Sequence, residues 1–118
     1  MNLRLFTIKS IHFSKLIGRL ILSAPFLTLS FYCNLIVSIF AFIIYFLEKD
    51  INPKINHIID AFWWSFATTT TVGYGDITPI TIPGKLIGIC LMIIGVAIFG
   101  VYTALFARAI LDDEIYMQ

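Results

Sequence analysis

Residues 68–76 read Thr-Thr-Thr-Thr-Val-Gly-Tyr-Gly-Asp, and what they offer chemically is oxygen. Gly73 and Gly75 are spaced two apart. A strand that turns every carbonyl to one side needs alternating backbone geometry, with positive φ at some residues, and glycine enters that region without steric cost. A row of carbonyls left unpaired by such a backbone is a ligand set for a cation. Thr71 adds a hydroxyl oxygen at one end, and Tyr74, between the glycines, points its ring away from the row. No other part of the chain carries comparable chemistry. Cys33 and Cys90 lie in apolar runs without Cys-x-x-Cys spacing or a neighbouring histidine, and read as small buried side chains. There is no nucleophile–base pair, metal-ligand cluster or phosphate-binding loop, so neither an enzyme nor a resident cofactor is expected.

The elements that must position this strand are apolar. The chain is 59% hydrophobic and 13% charged, with mean hydropathy +0.94, which is too little charge to cover a soluble domain. A membrane protein is expected, and the formal net charge of +1 gives no reason to expect nucleic acid. Residues 20–47 and 86–107 carry no charge. About 20 apolar residues cross a bilayer as a helix, so each run is long enough. Ser23-Ala24-Pro25 starts the first, because proline fits a first helical turn, and the outer span is expected over 26–47. Residues 1–24 form a separate piece. His12, Lys15 and Arg19 share one helical face and Phe13, Leu16, Ile17 and Leu20 the other, the pattern of a helix lying along the cytoplasmic interface; the bland alternative is a signal peptide. Five basic residues flank the spans (Arg4, Lys9, Lys15, Arg19, Arg108) against three between them (Lys49, Lys54, Lys85), which puts both termini in the cytoplasm.

Between the spans, residues 48–57 read as an exposed turret. Residues 58–70, rich in aromatics, read as a helix too short to cross a bilayer and suited to a re-entrant position. The strand 71–76 follows, and the second span is expected over 84–111, after Pro83. Non-helical backbone at membrane depth is tolerated only where it is buried in protein or lines an aqueous path. The C-terminus of the short helix, near Thr69 and Thr70, would bring about half a negative charge to a cavity beneath the strand.

"TTVGYGD" after an aromatic helix, between two spans, resembles the signature of potassium channels, most closely the bacterial two-transmembrane ones, over about Phe26–Leu111. The resemblance implies an all-α membrane protein: two transmembrane helices, a re-entrant pore helix and an extended selectivity filter, in a homotetramer, since one chain supplies one filter strand and a closed ring needs four. It implies that K+ is the permeant ion, held by the carbonyls of Thr71, Val72, Gly73 and Tyr74 with Gly75 completing the filter. Trp63 and Trp64 would pack on Tyr74, Trp64 would donate to Asp76, and Thr70 would close the pore helix. Along the second span, spacing and resemblance put Val96, Phe99 and Thr103 on the cavity, a hinge at Gly95, close packing at Gly100, and a gate near Ala107 and Leu111. Ala67 departs from relatives that carry glutamate there, paired behind the filter with the aspartate, so their inactivation behaviour does not transfer. Asp112, Asp113 and Glu114 imply a carboxylate ring at the cytoplasmic mouth, with proton gating through Glu114 or His12 as one expectation. Neither span carries arginine at every third position, so the sequence shows no voltage sensor. A nonselective cation channel and a non-conducting membrane subunit are the alternatives; the intact GYG argues against both.

Overall fold

A computed structural model describes residues 2–117; Met1 and Gln118, the ends of the expected single pore domain 1–118, lie outside the described residues. Among the described residues all regular structure is helical, in four elements: α1 (Leu3–Ile21), α2 (Ala24–Glu48), α3 (Ile58–Thr69) and α4 (Ile82–Met117). Both α2 and α4 are long and apolar enough to cross a membrane. At about 1.5 Å per residue α3 is roughly 18 Å long, well short of a bilayer core of about 30 Å.

The boundaries follow from caps. The chain breaks at Leu22 and Ser23 because Pro25 has no N–H to continue a helix from α1; α2 begins at Ala24, two residues before the expected start. Asn2 accepts a hydrogen bond from the Arg4 N–H through its side chain and caps α1. The Asp60 carboxylate accepts from the backbone N–H groups of Asn56 and His57 at 3.0 and 2.9 Å, fixing the entry to α3. Helix α4 starts at Ile82, not at the expected residue 84. Thr81 is its cap, with Oγ1 accepting from the Gly84 N–H at 3.0 Å, and Pro83 sits in the first turn, where its missing N–H costs nothing. At its other end α4 continues past the expected residue 111 to Met117 without a break.

Two compact units emerge from the contacts: one takes the chain up to Ser30 together with the chain from Tyr102, and the other is Phe31–Val101. In the first, the Phe26 ring meets Tyr102 and Phe106 edge-on, at centroid distances of 5.4 and 6.1 Å, and the Ser30 and Tyr102 hydroxyls are 2.7 Å apart. His12 Nε2 lies 2.8 Å from Asp113 Oδ2, which ties α1 to the end of α4. Leu16 and Leu20, read from the sequence as membrane-facing, are half-buried and border Ala109.

The second unit has a small core of Ile44, Ile55, Ala61, Trp64 and Leu91. Beside it the Glu48 carboxylate, fully buried at the end of α2, gathers the loop ends. Its Oε2 accepts from Asn52 Nδ2 and the Ile80 N–H, both at 2.9 Å, and its Oε1 from the Thr81 N–H at 3.0 Å and from the Thr81 hydroxyl. Asn52 also donates to the Thr78 carbonyl at 2.8 Å. Gly84 passes so close that an added Cβ would collide with the Glu48 carboxylate. Removing this acceptor leaves buried donors unpaired, at about 1–3 kcal/mol each. Glu48→Ala is therefore expected to lower the apparent Tm of the purified protein markedly, and Glu48→Gln, which keeps one acceptor oxygen, to lower it less. An unchanged Tm for Glu48→Ala would refute the role assigned to this carboxylate.

Candidate ion-binding strand

Helix α3 delivers the strand. Its last turn is stitched by threonine hydroxyls bonding back one turn, Thr69 Oγ1 to the Ser65 carbonyl at 2.8 Å and Thr70 Oγ1 to the Phe66 carbonyl at 2.6 Å. Thr70 is the C-cap, so the helix closes one residue before the expected strand. The backbone then takes positive φ at Thr71 (63°), Gly73 (60°) and Gly75 (76°). The two glycines hold this conformation without strain. For β-branched Thr71 it is a costly outlier, and sequence reasoning, which looked to glycine alone, did not expect it. The Thr71 N–H reaches the Thr68 carbonyl at 3.2 Å and the Gly73 N–H the Ala67 carbonyl at 3.0 Å. Among the described residues the carbonyls of Thr71, Val72, Gly73 and Tyr74 accept no hydrogen bond. All residues from Thr71 to Asp76 are exposed in the single chain.

The aromatic support divides differently from the expectation. Trp63 stacks on Tyr74, with ring centroids 5.4 Å apart and planes 12° apart. It is also Trp63, not Trp64, whose indole Nε1–H donates to Asp76 Oδ2, at 2.9 Å. Trp64 points the other way on the helix into the buried cluster, and an added Cβ at Gly88 would lie 3.3 Å from its ring. Stack and hydrogen bond together clamp the strand at two points to one side chain. A pocket of about 260 Å³ lies beside the strand, lined in part by Trp64, Ala67, Thr68, Tyr74 and Met92.

Along α4, Val96, Phe99, Thr103, Ala107 and Leu111 are all exposed and fall within an arc of roughly 120° at about 100° per residue. Within this chain the two glycines differ in what stands opposite them. Gly95 is buried, and an added Cβ would sit 2.9 Å from both the Cα and the carbonyl oxygen of Thr69; nothing lies within 4 Å of an added Cβ at Gly100. The close packing expected at Gly100 is thus found at Gly95, because α4 crosses directly behind the end of α3. Glu48, Asn52 and Thr81, which hold the two ends of the loop, were missed. A lone glutamate at the end of an apolar span was the one signal that pointed to them.

A protein family described as "Ion channel" matches residues 32–112. The class is therefore a membrane ion channel. A voltage-gated potassium channel of Aeropyrum pernix is 50% identical over 58 residues, covering 48% of this chain and 20% of that protein. The human potassium voltage-gated channel subfamily A member 5 is 45% identical over 69 residues, covering 58% of this chain and 11% of that protein. The mouse subfamily A member 6 is 44% identical over 69 residues, 58% of this chain and 13% of its own length. This chain thus spans a fifth or less of these relatives. It belongs to the ion channel family whose model it matches, and the relatives it resembles are potassium channels.

If Trp63 is the donor, a double-mutant cycle between Trp63→Phe and Asp76→Asn, read in the stability of the purified protein, should show coupling of about 1 kcal/mol. The same cycle with Trp64→Phe should show none. Coupling through Trp64 instead would overturn the assignment.

Proposed function

We propose that this chain forms a potassium-selective pore in the plasma membrane, through which K+ passes passively with its hydration shell replaced by backbone oxygen. The observation that carries the reading is the alternation of positive φ at Thr71, Gly73 and Gly75 together with four carbonyls that accept no hydrogen bond among the described residues. Such alternation turns successive carbonyls toward a common side. With α3 re-entrant and α2 and α4 spanning, those oxygens line an aqueous path, the one place where unpaired backbone is tolerated at membrane depth. Four copies about a central axis close the ring. K+ is then the permeant ion the strand holds, through Thr71, Val72, Gly73 and Tyr74, and it enters as cargo, not as a cofactor. Both termini face the cytoplasm on the charge distribution of the flanks.

On this reading the exposed face of Val96, Phe99 and Thr103 lines the cavity, and Ala107 and Leu111 close it by dewetting. The contact of Gly95 with the Thr69 backbone argues against a bend at that residue. It favours a bend at Gly100, whose neighbour Val101 ends one compact unit as Tyr102 begins the other.

Reconstituted in liposomes, the chain is expected to pass K+ far faster than Na+ and to be blocked by barium. Gly73→Ala should abolish the selective flux while leaving the protein inserted. Equal K+ and Na+ flux through the unaltered chain would refute selectivity, and an assembled tetramer without flux under any gating condition would favour the non-conducting subunit. A second comparison tests the bend. Gly95→Ala should impair assembly or stability, since its Cβ meets backbone. Gly100→Ala should fold normally and shift open probability by favouring a straight helix by about 1 kcal/mol per chain. The opposite pattern would return the bend to Gly95.

A further inference from the structure

Ser30 lies roughly 9 Å along α2 from its first residue, Ala24. At that depth of a spanning helix there is no bulk water to satisfy a hydroxyl. Its Oγ stands 2.7 Å from the Tyr102 hydroxyl of α4. The Phe26 ring, one turn earlier on α2, meets Tyr102 and Phe106 edge-on. Tyr102 is half-buried while Thr103 beside it is exposed, so the tyrosine ring faces α2 and not the proposed cavity.

The place of this contact along α4 gives it leverage. Nothing lies within 4 Å of an added Cβ at Gly100, so no packing there resists a bend. Two residues on, Tyr102 fastens α4 to α2. At about 1.5 Å per residue Tyr102 is roughly 3 Å from Gly100, and Leu111 is roughly 16 Å from it. A swing about Gly100 that carries Leu111 by about 5 Å therefore moves the Tyr102 backbone by about 1 Å. A bond of 2.7 Å stretched by that much is no longer a hydrogen bond. The hydroxyl pair sits on the short arm of the lever and fixes the long one. Helix α4 runs unbroken to Met117, so what the pair fixes is the straight helix.

We infer that the Ser30–Tyr102 hydroxyl pair is a latch on the straight form of α4, which must open before α4 bends at Gly100. The inference rests on the proposed pore and its bend, and adds the contact that sets how readily the bend occurs. Ring packing alone does not do this. Edge-on aromatic contact tolerates centroid distances of about 4.5–7 Å, so the Phe26–Tyr102 contact at 5.4 Å outlasts a shift that parts the hydroxyls. Each bond favours the straight helix about threefold, as is typical between membrane helices. Four copies moving together multiply that to roughly 80-fold.

The test compares variants of the full chain as single channels in planar bilayers. Tyr102→Phe keeps the ring and removes only the hydroxyl; Ser30 has a further interaction, so Tyr102→Phe is the cleaner deletion. It should shift the open-to-closed ratio by roughly 80-fold, in the direction opposite to Gly100→Ala, which favours the straight helix. Single-channel conductance should not change, since Tyr102 does not face the cavity. Ser30→Ala should shift the ratio the same way, and the double variant no further than Tyr102→Phe alone. Tyr32→Phe, which removes a hydroxyl from the exposed side of α2, should change it less than about twofold. A second readout needs no current. With Cys33→Ser and Cys90→Ser, spin labels at Ile115→Cys should gain a second distance population when Tyr102→Phe is added. A shift in the same direction as Gly100→Ala, additive effects of the two hydroxyl deletions, or an unchanged single distance population would each overturn the latch. So would a lower Tm with open probability unchanged, which marks packing alone. Absence of conduction in the unaltered chain would overturn the pore reading instead, and the label distances would then decide the latch.

Discussion

The Glu48 carboxylate closes the loop that presents the candidate strand. It stands at the end of α2 and receives donors from Asn52, Ile80 and Thr81, so residues more than thirty apart in sequence converge on two oxygens. A carboxylate with no exposed surface is costly unless its lone pairs are filled, and here backbone and side-chain donors fill them. The consequence reaches the strand. Thr78, two residues beyond Asp76, is held by Asn52, which is itself held by Glu48. At the near end the strand leaves α3 through threonines bonded back into the helix. A segment that makes few bonds of its own is therefore fixed at both ends by groups that make many.

That fixing allows the strand to hold a conformation it would not choose. Thr71 at φ 63° is unfavourable by order 1–3 kcal/mol, and it persists only because its surroundings over-determine it. The stacking of Trp63 on Tyr74 and its hydrogen bond to Asp76 act on alternate sides of Gly75. Behind α3, two glycines of α4 let the helices approach: Gly88 against the Trp64 ring and Gly95 against the Thr69 backbone. Helix propensity is sacrificed at both positions for contact that larger residues would prevent.

Much of this was legible because it is local. Two uncharged runs, a short aromatic helix and glycines at alternate positions each follow from spacing over a few residues. What was not legible depends on which side of a helix meets which neighbour across the fold. Trp63 and Trp64 are adjacent, and composition cannot say which reaches Asp76; a helical step of about 100° sends one to the strand and the other to the core. Gly95 and Gly100 likewise differ only in what stands opposite them. Glu48 was visible as a residue, but its partners lie at positions 52, 80 and 81, and no periodicity links these. Thr71 was read as an ion ligand through its oxygen, while its backbone strain is set by the chain on both sides.

The single chain also exposes a surface that no membrane alone can satisfy. Leu35, Ile39, Phe42 and Phe46 on α2 are exposed and apolar, suited to lipid. Val72 and Tyr74 are exposed as well, but between carbonyls that lack partners. Hydrocarbon would welcome the first group and penalise the second by several kcal/mol for each unpaired carbonyl. The two surfaces therefore demand different neighbours. On the reading proposed here lipid covers the apolar one, and other copies of the chain enclose the other around water and cations. The unpaired carbonyls are then what makes the isolated chain incomplete, and the same oxygens that forbid it from standing alone in a bilayer give the assembled pore its ligand for K+.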